Sequence, residues 1–282
     1  MSNIVQLKQE IVFNNRLAGL LDALKSIATQ QFQALERSFR AHEPLFAAIQ
    51  TIAATLPLER LSHPYTQPEG KMGVIVVTSD TGLLGGLNQQ AVNVAMQEYR
   101  RSPGEMMVVG ERGVAYVRER GLACKSFPGI LDTGRRALAG QVRDYALSQA
   151  LSGAITSLTI VYPRALSFSA QRVEVLRALP CTEWLKTASG ARPSSPVMLE
   201  SDAGAVLEYL VRLWLSQSLY EVFGMSRLAE LAARSMHLEG SAQELSRRGH
   251  KLKLKYFRER HEIIDRSMRE LFAARSLYGN AG

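Results

Sequence analysis

The sequence predicts an α/β domain with a mostly parallel, doubly wound sheet, flanked by two long terminal helices that pair as an antiparallel coiled coil. Three observations lead to this prediction. Apolar residues recur with a 3.5-residue period at both ends of the chain, strand and helix patterns alternate between them, and loops rich in Pro and Gly at 57–73 and 180–200 separate the parts. We therefore expect a helix over 1–56, a domain over 72–180 and a helix over 201–277.

The N-terminal helix is predicted from its apolar seam. With Ile4 as position a of a seven-residue repeat, thirteen of the sixteen a and d positions up to residue 56 are apolar. The overall hydrophobic content of 46% would give about seven. Such a sustained repeat is typical of a coiled coil. Pro44 should kink or weaken the helix, because proline lacks an N–H donor and clashes with the preceding turn.

The C-terminal helix is predicted by the same period. Ser201 and Asp202 fit a helix cap, and eleven of the seventeen a and d positions from Leu207 to Ile263 are apolar. If unbroken, residues 202 to 276 would extend about 110 Å, more than the diameter of one domain of this size. Each apolar seam needs a large apolar surface to cover it, and the sequence offers no other than the seam of the opposite helix. We therefore infer that the two helices pair with each other.

The middle of the chain predicts alternating strands and helices. Strands are expected at 72–78, 106–109, 158–162 and 168–177, and helices from about 87 to 100, from 113 to 120 and between 134 and 151. This alternation is typical of a parallel sheet with helices on both faces.

Composition narrows the classes of protein. Lys and Arg exceed Asp and Glu by 34 to 26, a net charge of +8, which favours an acidic partner of some kind. The chain has only two cysteines, Cys124 and Cys181, without CxxC spacing, which argues against a disulfide framework and against a Cys-rich zinc site. No apolar run approaches the ~20 residues of a membrane span, and the first residues lack a secretory pattern. We expect a soluble intracellular protein.

A Gly-rich turn, SDTGLLGGLN at 79–88, follows the first strand. A strand, a Gly-rich turn and a helix can hold phosphate. However, Leu87 and Asn88 stand where a P-loop needs Lys and Ser or Thr, and the glycine spacing is not GxGxxG. We therefore expect residues 79–88 to form a tight turn at the end of a strand rather than a nucleotide-binding site. None of the five histidines has a partner at i, i+4, and no motif indicates a nucleophile or a catalytic metal.

The densest basic stretch, 247–260, allows three interpretations. It could bind nucleic acid through phosphates and stacking aromatic residues. It could be the solvated face of a coiled-coil helix. It could also be a basic helix face that runs inside an acidic protein sleeve.

The turn and both helices resemble one family. The sequence VTSDTGLLGGLN at 77–88 resembles the SDRGLCGGLN signature of the gamma subunit of F-type ATP synthases, with Asp80, Gly82, Gly85, Gly86 and Asn88 as matching positions. Further matches are ALKSIA at 23–28 with AMKMVA, the stretch at 230–234 with SExxAR, and LKLKY at 252–256 with LxLxY. The resemblance covers nearly the whole chain.

The resemblance implies a Rossmann-like central domain and a rotor function. Such a subunit has no active site, cofactor or metal of its own. It transmits torque between a membrane ring of c subunits, on which the α/β domain stands, and a ring of three alpha and three beta subunits that surrounds the coiled coil. An epsilon subunit is a further implied partner. The implied location is peripheral, at the cytoplasmic face of the bacterial inner membrane, with membrane association only through the complex and without nucleic acid.

The resemblance also implies residues that contact the beta subunits. Six positions carry this expectation: Leu24, Glu230, Arg234, Arg260, His261 and Asp265. The last two replace the family's Gln and Thr, and Leu24 replaces a Met. In the turn, Thr81 and Leu84 replace an Arg and a Cys. These departures resemble a divergent bacterial branch whose members are considered sodium-translocating.

Three other functions stay open from the sequence. They are a coiled-coil adaptor that kept the fold without rotating, a coiled coil that binds nucleic acid through its basic stretch, and an enzyme that uses the Gly-rich turn.

Overall fold

A computed structural model describes residues 2–38, 43–54, 56, 61–67, 70–131, 133–182, 184 and 201–278. Helix α1 spans Ser2–Ser38 and α2 spans Glu43–Ala53. Residues 1, 39–42 and 55 of the predicted N-terminal helix lie outside the described residues. Pro44 stands in the first turn of α2, where a missing N–H removes no helical hydrogen bond.

A five-stranded sheet lies at the centre of the chain. Its strands are β1 (Met72–Val77), β2 (Pro103–Val109), β3 (Lys125–Phe127), β4 (Ser157–Ala165) and β5 (Gln171–Leu179), in the spatial order β3-β2-β1-β4-β5. The first four strands pair in parallel, and β5 pairs antiparallel with β4. Three helices connect the strands: α3 (Leu87–Arg101), α4 (Glu111–Glu119) and α5 (Arg135–Leu151).

Helices cover both faces of this sheet. Val74 and Val76 of β1 pack with α3 and α4 on one face. Ile75 and Val77 alternate to the other face, where they join α5, α2 and the first part of the last helix, α6 (Ala203–Tyr278). Alternation along a strand sends successive side chains to opposite faces, so β1 is apolar throughout. The predicted doubly wound domain is confirmed.

The structure differs from the prediction in several local features. Two strands are longer than expected, because β2 begins at Pro103 and β4 ends at Ala165. Strand β3 was not predicted, because three residues at a sheet edge, none of them buried, leave no periodic signal. The last strand begins at Gln171 rather than Phe168, because residues 166–170 form the turn that leads from β4 into β5. Helix α4 begins at Glu111, two residues early, because a side chain far along the chain caps it, as described below.

The chain divides into two compact units: Met1–Ala28 with Ser235–Gly282, and Thr29–Arg234. In the first unit, α1 and α6 run antiparallel: Lys25 bonds to Glu239, and Asn14 bonds to the backbone of Leu245. The a and d positions of α1 are its least exposed, with Leu7 and Ala28 buried. This confirms the predicted pairing of the two helices.

Candidate functional site

The Gly-rich turn that follows β1 directs its polar groups to the chain's own backbone. The Thr78 hydroxyl donates to the carbonyl of Val109 at 2.6 Å and accepts the N–H of Gly113 at 3.1 Å. The side chain of buried Asn88 accepts the N–H of Ser79 at 3.2 Å and donates to its hydroxyl at 2.9 Å. These bonds hold the turn at the carboxyl ends of β1 and β2.

Asp80 acts as a brace between two other loops. One carboxylate oxygen accepts the N–H of Glu111 at 2.9 Å, in the first turn of α4, and the other accepts the N–H of Gly129 at 3.1 Å. A Cβ at position 129 would stand 2.5 Å from this carboxylate, so any other residue there would displace the carboxylate. Asp80 therefore caps α4 from a distance of 31 residues along the chain, which explains the early start of that helix.

Both Gly86 and Leu83 of the turn have a positive φ angle. Gly86, the residue before α3, has a φ of 93°, which L side chains rarely adopt. Leu83 has a φ of 66° although it carries a side chain, and that side chain is 49% exposed.

The turn packs against α6 through apolar and charged contacts. Leu84 and Leu87 contact Ala229 and Ala233. Nearby, the guanidinium of Arg234 donates to the hydroxyl of Thr81. We call residues 79–88 together with residues 226–234 of α6 the turn–helix junction.

Glu230 lies at the centre of the charges in this junction. Its side chain is 9% exposed, and its carboxylate oxygen Oε1 is 2.6 Å from Arg234 Nη2 and 2.9 Å from Arg227 Nη1. A buried carboxylate needs such partners, because burial without them is costly. Sequence reasoning selected Glu230 and Arg234 but missed Arg227, whose i, i+3 spacing to Glu230 was the available signal.

The other predicted contact residues lie on exposed helix faces. Arg260, His261 and Asp265 are exposed on α6, within a stretch from 260 to 273 in which every residue is exposed. Apolar side chains belong to this stretch: Ile263, Ile264, Met268, Leu271 and Phe272. Leu24 on α1 is 37% exposed. The structure thus brings Glu230 and Arg234 together with the Gly-rich turn and leaves these four residues exposed.

The two cysteines lie away from the turn–helix junction. Burial raises the pKa of the Cys181 thiol to about 12 and also raises the pKa of Cys124, so both thiols are protonated and weakly nucleophilic at neutral pH. In the described part of the chain, no three His, Cys, Asp or Glu side chains are grouped closely enough to hold a metal ion. No helix among the described residues has both the length and the apolar character to cross a membrane.

Comparisons with known proteins decide the family. A family model described as "ATP synthase" matches residues 3–276. The chain belongs to the ATP synthase family. Curated relatives carry the description "ATP synthase gamma chain": one from Chlorobium phaeobacteroides is 26% identical over 216 residues, 73% of each chain, and one from Clostridium beijerinckii is 22% identical over 278 residues, 96% of each chain. The predicted resemblance to gamma subunits is confirmed.

Solved structures of ATP synthases share the fold. The rotor of the Euglena gracilis mitochondrial ATP synthase contains a chain that matches with a TM-score of 0.68 at 15% identity, over 93% of this chain and 99% of that one. A chain from the central stalk and c-ring of the Tetrahymena thermophila enzyme matches with a TM-score of 0.59 at 20% identity, over 79% of this chain and 99% of that one. The paired terminal helices and central sheet are therefore the architecture of an ATP synthase rotor chain.

Proposed function

We propose that this gamma-type chain turns inside a ring of three alpha and three beta subunits, and that its α/β domain stands on a c-ring together with an epsilon subunit. One observation carries this proposal: α6 continues from a buried segment in the domain to the stretch 260–273, in which every residue is exposed. Five apolar side chains in that stretch are 39% to 67% exposed. Exposed apolar groups in such a cluster mark a surface that a partner covers.

We propose that the exposed contact residues act directly on the ring. Arg260, His261 and Asp265 place positive and negative charge within two turns of one helix. Such a surface presents a different charge to each beta subunit as the helix turns. Each orientation then favours a different conformation of each neighbour, which is the differential binding that couples rotation to conformational change. Leu24 adds an apolar contact on α1.

Glu230 and Arg234 receive a different proposal. Their contact with beta subunits stays a prediction, and most of each side chain is covered by groups of this chain. We propose that they act from within the turn–helix junction, where they bond α6 to the Gly-rich turn. In a rotor such bonds would hold the domain and the helix together under torque.

We also propose a location and a division of the chain. The proposed location is peripheral, on the cytoplasmic face of a bacterial inner membrane, and the chain would associate with the membrane only through the complex. The net positive charge and the bacterial gamma chains among the relatives support this location. The parts 1–56, 72–180 and 201–277 remain our proposed division by function. The departures at His261 and Asp265 support membership of the divergent sodium-type branch.

Co-purification tests the proposal. The chain is expressed with the alpha and beta subunits of the same genome, and ATP hydrolysis by the purified assembly is measured with and without it. We expect a complex with three alpha subunits, three beta subunits and one copy of this chain, whose activity requires the chain. Failure to assemble with any encoded alpha–beta pair would favour the adaptor alternative.

A matched pair of variants tests the contact residues. Arg260→Ala should weaken the coupling between ATP hydrolysis and ion transport without unfolding the chain, because an exposed charge contributes little to stability. The control, Arg118→Ala, removes another exposed charge, from α4, and should leave coupling unchanged. Equal coupling in both variants would refute the role of Arg260.

A further inference from the structure

A buried amide interrupts the apolar seam between α1 and α6. Asn14 occupies a d position and is only 5% exposed. Its side-chain nitrogen Nδ2 donates to the backbone carbonyl of Leu245 at 2.9 Å. Leu245 belongs to the same compact unit, on the opposing helix.

A glycine on α6 makes room for this amide. Gly249 is buried in the interior of the helix, and a Cβ at this position would stand 2.8 Å from Asn14 Nδ2. Glycine weakens a helix interior relative to alanine, so its presence needs a reason. Here the missing side chain admits the amide to the carbonyl of Leu245. A cavity of about 70 Å³ adjoins the pair, between Phe13, Leu17 and Leu252 among others.

We propose that Asn14 and Gly249 are positioning residues that set the axial register of the two helices. The apolar positions of a heptad seam are nearly equivalent, so a shift by seven residues, about 10.5 Å, would repeat most of their contacts. After such a shift Asn14 would lie opposite Ala242 or Tyr256 instead of Gly249. A side chain would then block the amide from the backbone carbonyl, and a buried donor would lose its acceptor.

A second contact agrees with this register. Lys25 Nζ lies 2.6 Å from Glu239 Oε2, nearer the other end of the paired segment. This pair is partly exposed and tolerates movement, whereas the Asn14 pair is enclosed and requires one glycine. The register therefore depends mainly on Asn14 and Gly249.

The inference bears on function, and in that respect it rests on the proposed function. Arg260 lies eleven residues beyond Gly249 on the same helix. A fixed register determines which part of α1 accompanies Arg260, His261 and Asp265 on the surface offered to the ring.

A double-mutant cycle with a matched control tests the pair in the full-length chain. Gly240→Ala serves as the control, because Gly240 lies in the same helix with no atom within 4 Å of an added Cβ. We expect Gly240→Ala to raise the melting temperature whether or not Asn14 is present. Gly249→Ala should lower it by about 2–4 °C with Asn14 in place and raise it when combined with Asn14→Ala. An increase for Gly249→Ala in both backgrounds would overturn the proposal.

The register itself is read from a distance between spin labels. Labels at the exposed positions Gln9 and Lys253 report on the two helices, in a chain with Cys124→Ser and Cys181→Ala. We expect one distance in this chain, and a second, longer distance in Asn14→Leu, which keeps the seam apolar and folded. The second distance is longer because a seven-residue shift moves one label about 10.5 Å along the helix axis from its position opposite the other. A single unchanged distance in Asn14→Leu would mean that the residue contributes only stability and would refute the positioning role.

The coupling of the assembled complex separates this inference from the proposed function. If Asn14→Leu adds a second register and lowers ion transport per ATP, both are supported. If the register changes while coupling does not, the register inference stands and the proposed ring contact fails.

Discussion

The two ends of helix α6 differ in surroundings although they belong to one helix. From Leu207 to Ala233 its apolar residues enter the core of the domain, and Phe223 is completely buried. From 260 to 273 every residue is exposed, although the sequence there contains five large apolar side chains. The first part packs within the chain, and under the proposed function the second part packs against other chains. The predictions below contrast these regions, from the largest expected effect to the smallest.

The largest effect is expected from Phe223→Ala. Removing a completely buried aromatic side chain costs about 3–5 kcal/mol of unfolding free energy, through lost transfer energy and a cavity. Phe272→Ala is the matched control, because Phe272 is 63% exposed, and its effect should stay within about 0.5 kcal/mol. Urea unfolding of the full-length chain measures both. A large loss in Phe272→Ala would mean that the exposed end already has a partner within the chain.

Glu230→Gln tests the turn–helix junction. The amide keeps the size of the carboxylate but leaves the guanidiniums of Arg227 and Arg234 without their shared negative charge. We expect a loss of about 1–3 kcal/mol, since hydrogen bonds to buried charged groups are the costly ones to remove. Glu270→Gln changes an exposed glutamate on the same helix and should have little effect. Equal unfolding curves for the two variants would contradict the structural role of Glu230.

Asp80→Ala tests the brace at the Gly-rich turn. The variant removes the acceptor for the N–H groups of Glu111 and Gly129, and the loss of a helix cap costs about 1–2 kcal/mol. Asp80→Asn retains one of the two acceptor oxygens, so its loss should lie between that of the parent chain and that of Asp80→Ala. If the turn served nucleotide binding instead, these variants would change nucleotide affinity and not stability.

The smallest effect is expected from Glu239→Gln in the coiled coil. The hydrogen bond from Lys25 lowers the pKa of Glu239 below its ordinary 4.5. A lowered pKa stabilises the folded chain at pH values above the unfolded pKa, and this contribution disappears as the pH falls through the folded pKa. The parent and the variant should therefore differ slightly at pH 7 and converge as the pH falls below 4.5 and through the lowered pKa of the folded chain. A difference that persists at pH 3 would show that the carboxylate charge is not its cause.

Periodicity made much of this fold predictable. The apolar stripes at both ends specified the helices and their pairing, because residues of one helix face must be covered together. The continuous apolar run at Met72–Val77 specified a strand buried on both faces. Strand β3 and the start of α4 were not predictable, since one is three residues long and the other depends on Asp80, far along the chain.

The candidate site was predictable only in part. Arg260, His261 and Asp265 were chosen by resemblance, and their exposure agrees with a contact role without testing it. The burial of Glu230 was not predictable, because its surroundings combine α6 with a turn about 150 residues earlier in the chain. The role of Asn14 had a signal, a polar residue within an apolar seam, but its partner Gly249 became evident only from the close approach of the two helices.

Direct observation of rotation tests the central claim. The alpha and beta subunits are fixed to a surface, a visible label is attached to this chain through a tag on the α/β domain, and the label is followed as ATP is added. The account predicts rotation in one direction that requires ATP and stops when it is removed. A label that stays still on complexes that hydrolyse ATP would contradict it.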